Sequence, residues 1–212
     1  MIEKISTYFS NNSSSYLLAI QEHIALSLTS LFAAILIGVP LGVLCVRYQS
    51  GQKWIVGVFQ VLRIVPSLAV LFMLIPLMGT GERPAITALI LLAMPPILMN
   101  TVAALEEVPF FMLETSEGMG MTQPQIWMKV RLPLALPLIL AGIKIALIEI
   151  IASATLAAKI GAGGLGGIIF TGLGLNRADL LIIGGITVAA VAITAGVLMD
   201  LLDRTLLRYK YI

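Results

Sequence analysis

Long apolar stretches separated by short polar junctions dominate the pattern of this chain. A helix that crosses a hydrocarbon core of about 30 Å needs about 20 consecutive apolar residues. Five stretches reach this length and predict transmembrane helices at about 24–46, 54–78, 84–105, 134–158 and 180–202. The pattern therefore predicts an all-α integral membrane protein in which residues 1–212 form a single transmembrane domain.

Basic residues in the junctions predict the orientation of the helices. The junction at 47–53, the long junction at 106–133 and the C-terminal tail together contain seven Lys and Arg residues, whereas the opposite side contains four. Because loops rich in Lys and Arg stay in the cytoplasm, these three segments are predicted to be cytoplasmic. The N-terminus is then outside the cell and the C-terminus inside.

One further apolar segment is too short to cross a membrane. Residues 161–174 read "GAGGLGGIIFTGLG", a run of fourteen residues of which seven are glycine. Glycine costs about 0.8–1 kcal/mol relative to alanine at each position in a helix interior. We therefore expect residues 160–175 to form a glycine-rich external segment, non-helical or re-entrant and packed against protein. Its glycines serve either as an external gate or as a compact loop.

Prolines interrupt the predicted spans. Pro66 and Pro76 lie in the second span, Pro95 and Pro96 in the third, and Pro137 near the start of the fourth. Each proline removes a backbone donor and kinks its helix. Kinked and broken helices are common in transporters, where freed carbonyl groups line a pathway. The alternative is that the kinks serve only the packing of the bundle.

Composition supports the membrane class and excludes several others. Hydrophobic residues make up 59% of the chain and charged residues 11%, against about 25% charged residues in a typical soluble domain. A net charge of +2 gives no basis for nucleic-acid binding. The sequence contains no Cys and His cluster for a metal, no catalytic dyad for a membrane enzyme and no glycine-rich phosphate loop.

The long junction between the third and fourth spans contains helix signals of its own. After a proline suited to a first helical turn, Phe110, Leu113 and Glu117 follow at helical spacing. Gly118 and Gly120 then predict a corner. The sequence therefore predicts a short helix that ends at this corner.

A second short helix is predicted after the corner. Thr122 fits the N-cap position, and Gln125 three residues later completes a capping-box pattern. Ile126, Trp127 and Val130 give this helix an apolar face. Such a face either docks in a groove of another protein or lies on lipid headgroups.

The spacing of residues in this junction resembles the signature loop of ABC-importer permeases. In that pattern a Glu is followed six residues later by a Gly, and nine residues then precede a branched apolar residue and a Leu-Pro pair. Glu114, Gly120, Val130, Leu132 and Pro133 occupy these positions here. The match in spacing, placed between the third and fourth of five spans, favours this family.

The chain departs from the family pattern at a few positions. Thr115 and Ser116 stand where the family has two alanines. Both are small, so the helix packing that alanine permits is expected to be kept. Beyond the loop, "VPSLAVLFMLIPLMGTG" and "IGAGGLGGIIF" make most of residues 55–175 similar to the permeases of osmoprotectant importers, which carry glycine betaine, choline or carnitine. Arg63 stands where such permeases usually have glutamine.

The resemblance implies a type I ABC permease fold and a place in an ATP-driven importer of the bacterial cell membrane. Its partners would be the lipid bilayer, a cytoplasmic ATPase that binds ATP and Mg, an external substrate-binding protein, and a second permease copy or sister permease. This chain would bind no cofactor and catalyse no reaction itself. The resemblance implies contact with the ATPase for Glu114, Thr115, Ser116, Glu117, Gly118, Gly120, Thr122, Leu132 and Pro133.

Two other functions stay open at this point. A compact ABC permease for another small solute, such as methionine, would belong to the same class. A stand-alone channel or secondary carrier would work without ATP, but a set of five spans without inverted halves is a poor match to that class.

Charged residues within the predicted spans include Arg63, Lys144 and Glu149. Because a charge near the bilayer centre costs about 2.5–3.5 kcal/mol on insertion scales, each is expected to face the bundle or a cavity. Glu149, with Ser67 and Asn100, is a candidate for lining the solute path. The alternative is that Glu149 is a structural partner of Arg63 or Lys144. Lys144 and Glu149 are five residues apart and therefore point to different sides of their helix.

Overall fold

The computed structural model describes the backbone of residues 2–207 and the side chains of residues 5–207. Over this range every regular element is helical, and the predicted all-α class is confirmed. The elements are α1 (Ile2–Arg47), α2 (Gln49–Leu62), α3 (Ser67–Met78), α4 (Glu82–Glu106), α5 (Phe110–Gly118), α6 (Gln123–Ile126), a π-helical turn (Trp127–Arg131), α7 (Leu132–Ala157), a 3-10 turn (Ala158–Ile160), α8 (Gly166–Gly174) and α9 (Ala178–Leu206).

Four stretches of helix are long and apolar enough to cross a membrane. They are α1, α4, the continuous helix Gln123–Ile160 that contains α6 and α7, and α9. The pair formed by α2 and α3 is a fifth span if the two helices are counted together, with a bend of 99° between them. The predicted membrane-spanning helical bundle is therefore confirmed, with four spans or five depending on this pair.

The predicted second span at 54–78 is broken into two helices. α2 ends at Leu62, and α3 starts after Pro66, which has an extended ψ of 134°. Pro66 has no amide hydrogen to continue the helix, and its ring disfavours helical geometry at the residue before it. α2 buries none of its residues against the rest of the described chain. The chain therefore turns sharply at residues 63–66.

α1 begins well before the predicted first span at 24–46. It runs from Ile2 to Arg47, with a local departure from helical geometry at Asn12. Its 46 residues correspond to about 69 Å at a rise of 1.5 Å per residue, more than twice a hydrocarbon core of about 30 Å. The predicted span at 24–46 lies within α1, and the polar residues before position 24 continue the same helix.

The glycine-rich segment is helical over Gly166–Gly174, so of the two predicted forms, non-helical or re-entrant, the non-helical one is wrong there. Gly164, just before this helix, has a φ of +78°, a conformation that glycine adopts without strain. A Cβ on Gly166 would lie 1.9 Å from the carbonyl oxygen of Thr155. Glycine therefore allows α8 to pack directly against the backbone of α7, and this contact offsets the low helix propensity of the segment.

α4 lies at the centre of the bundle, where it packs against both α1 and α7. The close approach depends on small residues, as is common between membrane helices. A Cβ on Gly42 of α1 would lie 2.7 Å from Thr101, and a Cβ on Gly142 of α7 would lie 2.8 Å from the Pro96 carbonyl oxygen. Pro95 and Pro96 are themselves buried. α4 is therefore the fixed element around which the other spans are arranged.

The two ends of the bundle are built differently. At the end that carries α8, called the glycine end, the Glu22 carboxylate accepts a 2.8 Å hydrogen bond from the Gly164 amide. His23 is fully buried there and forms a 3.1 Å hydrogen bond with the carbonyl oxygen of Ile151. The opposite end, called the loop end, carries α5 and α6. Hydrogen bonds between residues far apart in the sequence thus hold α1 against α7 and against the turn before α8 at the glycine end.

Replacing Gly142 with valine is expected to destabilise the bundle. The Cβ of the new side chain would lie 2.5 Å from the Cβ of Asn100 and would also overlap the backbone of α4. Overpacking of this kind costs about 1–3 kcal/mol. We expect the thermal unfolding midpoint of the purified protein in detergent to fall below that of the unmodified protein.

Gly185→Val is the matched control for this experiment. Gly185 is an exposed glycine of α9, and nothing lies within 4 Å of a Cβ at this position. Its midpoint should be no lower than that of the unmodified protein, because valine has a higher helix propensity than glycine. Equal midpoints for the two variants would contradict the packing of α7 against α4.

Candidate functional site

α5 presents apolar side chains at the loop end of the bundle. Pro109 precedes the helix with a ψ of 127° and fixes its start at Phe110. Phe110 and Phe111 are 76% and 62% exposed. Apolar side chains that cluster on a surface mark a site that lipid or another protein covers.

The corner predicted at Gly118 and Gly120 is present. α5 ends at Gly118, and Gly120 has a φ of +80°, which a residue with a Cβ adopts only with strain. The Gly120 amide donates to the Glu117 carbonyl oxygen at 2.9 Å, and the Met121 amide donates to the Ser116 carbonyl oxygen at 3.1 Å. These bonds satisfy carbonyl groups at the end of α5, as glycine C-caps do.

α6 begins with the predicted capping box. The Thr122 amide donates to the Gln125 side-chain oxygen at 2.9 Å, and the reciprocal contact of the Thr122 side chain is also present. The Gln123 side chain donates to a Glu117 carboxylate oxygen at 2.7 Å and so links α6 to α5. Because the caps satisfy groups that short helices leave free, the loop is an ordered helix pair.

The apolar face predicted for the second helix is covered by the chain itself. Ile126 is 4% exposed, and Trp127 packs against the apolar core. Spacing along the sequence identified the apolar positions but did not show which of them the bundle would bury. Exposed apolar side chains lie on α5, at the corner and, within the second helix, at Met128, which is 68% exposed. The surface formed by Phe110, Phe111, Met112 and Met119 is called the loop patch.

Thr115 and Ser116 show how α5 accommodates hydroxyl residues at two positions predicted to require small side chains. Thr115 Oγ1 donates to the Phe111 carbonyl oxygen and Ser116 Oγ to the Met112 carbonyl oxygen, each at 2.7 Å. Ser116 is buried, at 4% exposure. Since each hydroxyl bonds to its own helix, neither leaves an unsatisfied donor at the packed face.

The remaining residues of the predicted signature lie at the two edges of the loop. Glu114 is exposed on α5. Leu132 and Pro133 begin α7, with the proline in the first turn, where its missing amide hydrogen is not needed by the helix. The signature thus extends from an exposed carboxylate to the start of a membrane-spanning helix.

Arg131 connects the loop to α4, a role that the sequence did not reveal. Its Nε and Nη2 groups donate to the Leu105 carbonyl oxygen at 3.3 and 3.1 Å. Its guanidinium carbon lies 4.8 Å from the centroid of the Trp127 ring. Leu105 belongs to the last turn of α4, where carbonyl groups lack helical partners and favour a nearby cation. From the sequence alone Arg131 counted only as a basic residue of the loop.

The three residues predicted to line a path lie on different helices. Ser67 begins α3 after the break, Asn100 donates to the Pro96 carbonyl oxygen at 2.7 Å, and Glu149 is half-buried on α7. Within the described residues no hydrogen bond joins any two of them. Arg63 lies in the bend between α2 and α3, close enough to Glu149 for the two charges to interact. The arrangement places opposite charges beside the broken span.

Lys144 pairs with a residue that the sequence alone did not indicate. Its ammonium lies 2.5 Å from a carboxylate oxygen of Asp200 on α9, and the two side chains are 33% and 57% exposed. Lys144 and Asp200 are far apart in the sequence, so helical spacing gave no indication of the pair. This ion pair joins α7 to α9 within the membrane-spanning segments.

A bundle of kinked membrane-spanning helices with a rigid helical loop at one end is the architecture of a transport permease. The chain belongs to the family of binding-protein-dependent transport system inner membrane components, whose profile matches residues 26–208. It is similar to the carnitine transport permease protein OpuCB of Listeria monocytogenes, with 41% identity over 192 residues that cover 91% of this chain and 88% of the relative. The choline transport system permease protein OpuBB of Bacillus subtilis is 39% identical over 202 residues, which cover 95% of this chain and 93% of that protein.

Solved structures share the same fold. A structure of the MetNI methionine ABC transporter in an inward-facing conformation has a TM-score of 0.80 and 27% identity, covering 90% of this chain and 95% of that chain. An amino acid ABC transporter crystallised with histidines also has a TM-score of 0.80, at 16% identity, covering 94% and 97% of the two chains. These structures confirm the type I ABC permease fold, and the sequence relatives confirm the resemblance to osmoprotectant permeases.

The ion pair between Lys144 and Asp200 is expected to contribute to stability. An unpaired charge near the bilayer centre costs about 2.5–3.5 kcal/mol on insertion scales, and partial exposure reduces this cost. Asp200→Asn should therefore lower the unfolding midpoint of the protein in lipid nanodiscs. The double variant Lys144→Met with Asp200→Leu should recover much of the loss, because it removes both charges.

A double-mutant cycle of the single variants Lys144→Met and Asp200→Leu with the double variant measures this coupling directly. Residues in direct contact couple by about 0.5–3 kcal/mol. Strictly additive changes in stability would contradict a contribution from the ion pair.

Proposed function

We propose that this chain is the permease subunit of an ATP-driven importer that carries a small quaternary-ammonium osmoprotectant, such as carnitine, choline or glycine betaine. The observation that carries the proposal is the loop end, where an ordered helix pair with an exposed apolar patch is tied by Arg131 to the central helix α4. Relatives at 41% and 39% identity, named for carnitine and choline transport, support the class of solute.

The loop patch is the surface on which a cytoplasmic ATPase docks. Aromatic and methionine side chains on a short helix suit a hydrophobic groove of a partner protein. Because Arg131 joins the loop to the end of α4, movement of the ATPase reaches the centre of the bundle. ATP and Mg bind to the ATPase, since the sequence has no phosphate-binding loop. The chain itself catalyses no reaction.

The loop end faces the cytoplasm of a bacterial cell, and the glycine end and the N-terminus face outward. The excess of Lys and Arg on the loop side supports this orientation. Lys4, Arg208 and Lys210 enter the comparison of the two sides but lie outside the residues whose side chains are described. An external substrate-binding protein delivers the solute to the glycine end.

The solute path runs beside the broken span formed by α2 and α3. Broken helices are sites where transporters bind solutes and ions, and Ser67 lies at the break. Glu149 offers a carboxylate to a quaternary ammonium group, and Asn100 offers an amide from α4. A second permease copy or a sister permease completes the path.

A permease for another small solute, such as methionine, is the second candidate. The structural match to MetNI, with a TM-score of 0.80, favours it. The identity to MetNI is 27%, however, against 41% and 39% for the carnitine and choline permeases. The binding protein that accompanies this chain distinguishes the two candidates when it is titrated with glycine betaine, choline, carnitine and methionine.

Replacing Gly120 with arginine is expected to abolish association with the ATPase. The variant strains a corner that has a φ of +80° and adds a long cation beside the loop patch. Affinity purification of the tagged chain from its native membrane in a gentle detergent, followed by mass spectrometry, should recover an ATP-binding-cassette subunit. The subunit should be absent when the chain carries Gly120→Arg.

Gly79→Arg is the matched control. Gly79 has a φ of +79° and open space around it, as Gly120 has, but it lies between α3 and α4 at the glycine end. This variant should retain the ATPase. Retention of the ATPase by Gly120→Arg would contradict the docking site. Failure of the unmodified chain to recover any ATPase, while a known ABC complex survives the same extraction, would contradict the importer.

Replacing Arg131 with glutamine should separate ATP hydrolysis from transport. A hydrogen bond from a charged group contributes about 1.5–3 kcal/mol, and about 1.4 kcal/mol corresponds to a tenfold change. We therefore expect the solute imported per ATP hydrolysed in proteoliposomes to fall by on the order of tenfold. The ATPase should still copurify, because Arg131 is not part of the loop patch.

Lys129→Gln is the control for the loss of positive charge in this segment. Lys129 is exposed in the same π-helical turn, and no hydrogen bond or ion pair to it is present within the described residues. It should leave the ratio of transport to hydrolysis unchanged. An unchanged ratio for Arg131→Gln would exclude the connection to α4 as a route of coupling.

A further inference from the structure

A cleft between α2 and α4 opens near the loop end of the bundle. Its volume is about 400 Å³, and small-molecule sites have volumes of about 300–1,000 Å³. Residues of both helices form its walls, and the polar ones come from opposite sides. The residues that matter for its chemistry are Gln52, Lys53, Gly57 and Gln60 on α2, with Met99 and Glu106 on α4.

Polar groups in the cleft have hydrogen-bonding capacity to spare. One Glu106 oxygen accepts a 2.6 Å hydrogen bond from the Gln52 side chain. Within residues 5–207, no hydrogen bond or ion pair engages the Lys53 ammonium, the Gln60 amide or the other Glu106 oxygen. The cleft therefore offers a carboxylate on one helix and an ammonium on the other.

α2 leaves the cleft open because it packs loosely. None of its residues is buried, and it meets α3 at 99°. Gly57 lines the cleft, and nothing lies within 4 Å of a Cβ at this position. Glycine lowers the stability of a helix interior. At this position no close contact with a neighbouring helix requires it, and empty space lies beside it instead.

We propose that this cleft is a solute-binding site on the loop-end side of the translocation path. Its ligand is a small zwitterion that carries a quaternary ammonium group and a carboxylate. The ammonium group is complementary to Glu106 and the apolar Met99, and the carboxylate is complementary to Lys53 and Gln60. This inference rests on the proposed function, which supplies the class of solute.

The position of Glu106 relates the cleft to the loop. Glu106 is the last residue of α4, and the carbonyl of the preceding Leu105 holds Arg131. A solute in the cleft and the loop would therefore both contact the C-terminal end of α4. A solute in the cleft is placed to be released when the loop moves.

Protection of an introduced cysteine tests the site directly. Gly57→Cys is made in a Cys45→Ala background, because Cys45 is the only cysteine of the chain. The complex with its ATPase is placed in lipid nanodiscs without nucleotide, and alkylation by N-ethylmaleimide is followed. Glycine betaine at ten times its dissociation constant should slow alkylation by about tenfold, since the free fraction falls as 1/(1 + [L]/Kd). Sodium chloride or sucrose at the same concentration should not.

Gly185→Cys in the same background is the control, because Gly185 is an exposed glycine on α9 with open space around it. Glycine betaine should leave its alkylation rate unchanged. Equal rates with and without glycine betaine at position 57 would overturn the proposal. Protection that follows the anionic lipid content of the nanodisc, and not glycine betaine, would assign the cleft to a lipid headgroup and would also overturn it.

Filling the cleft provides a second, independent test. Gly57→Leu places a side chain in the open space and raises the helix propensity of α2, so assembly with the ATPase should be kept. Uptake of glycine betaine by proteoliposomes should fall by on the order of tenfold, the change expected if about 1.4 kcal/mol of solute binding is lost. Gly185→Leu should transport as the unmodified complex does. Normal uptake by Gly57→Leu would contradict the site.

The unmodified complex separates failure of this inference from failure of the proposed function. If it imports none of glycine betaine, choline and carnitine, the proposed function fails and the inference falls with it. If it imports glycine betaine while the introduced cysteine stays unprotected, the cleft proposal alone fails.

Discussion

Glycine at the contacts of α1 and α7 with α4 brings helix backbones together, and the positions of the remaining elements follow from this packing. Membrane helices gain little from the hydrophobic effect when they associate, so contact between small residues has to hold them. α4 keeps two buried prolines within this contact. Its end at the loop is therefore firmly packed, and the Leu105 carbonyl gives Arg131 a rigid point of attachment. The packing at the centre of the bundle therefore determines where the loop lies.

α2, in contrast to α4, is loosely packed. It buries no residue, it leaves a cleft of about 400 Å³ beside α4, and it meets α3 at a bend of 99°. In the proposed mechanism the rigid α4 transmits movement of the loop, and the loosely packed α2 changes position beside the solute. A permease needs both properties, because helices that were all packed as α4 is could not open a path.

Local signals in the sequence predicted the helical class, the capping box at Thr122 and the corner at Gly120, since each depends on residues within one turn. The spacing of Glu114, Gly120 and the Leu132-Pro133 pair predicted the family. Features that depend on residues far apart in the sequence were either not predicted or predicted wrongly. Pro66 indicated a kink but not a break with a 99° bend, and the partner of Lys144 lies 56 residues away on α9. Periodicity found the apolar positions of the loop, but only the packed bundle shows that Ile126 is buried while the loop patch is exposed.

Site-specific photocrosslinking from the loop patch tests the docking of the loop on an ATPase most directly. A photoreactive amino acid is placed at Met119, which is 68% exposed at the corner, and in a second variant at Leu173, which is 63% exposed on α8 at the glycine end. Irradiation of intact cells should link the first position to an ATP-binding-cassette subunit and the second to no ATPase. Crosslinks from Met119 to lipid alone would mean that the loop lies on the membrane surface, and the chain would then lack the contact on which an ATP-driven importer depends.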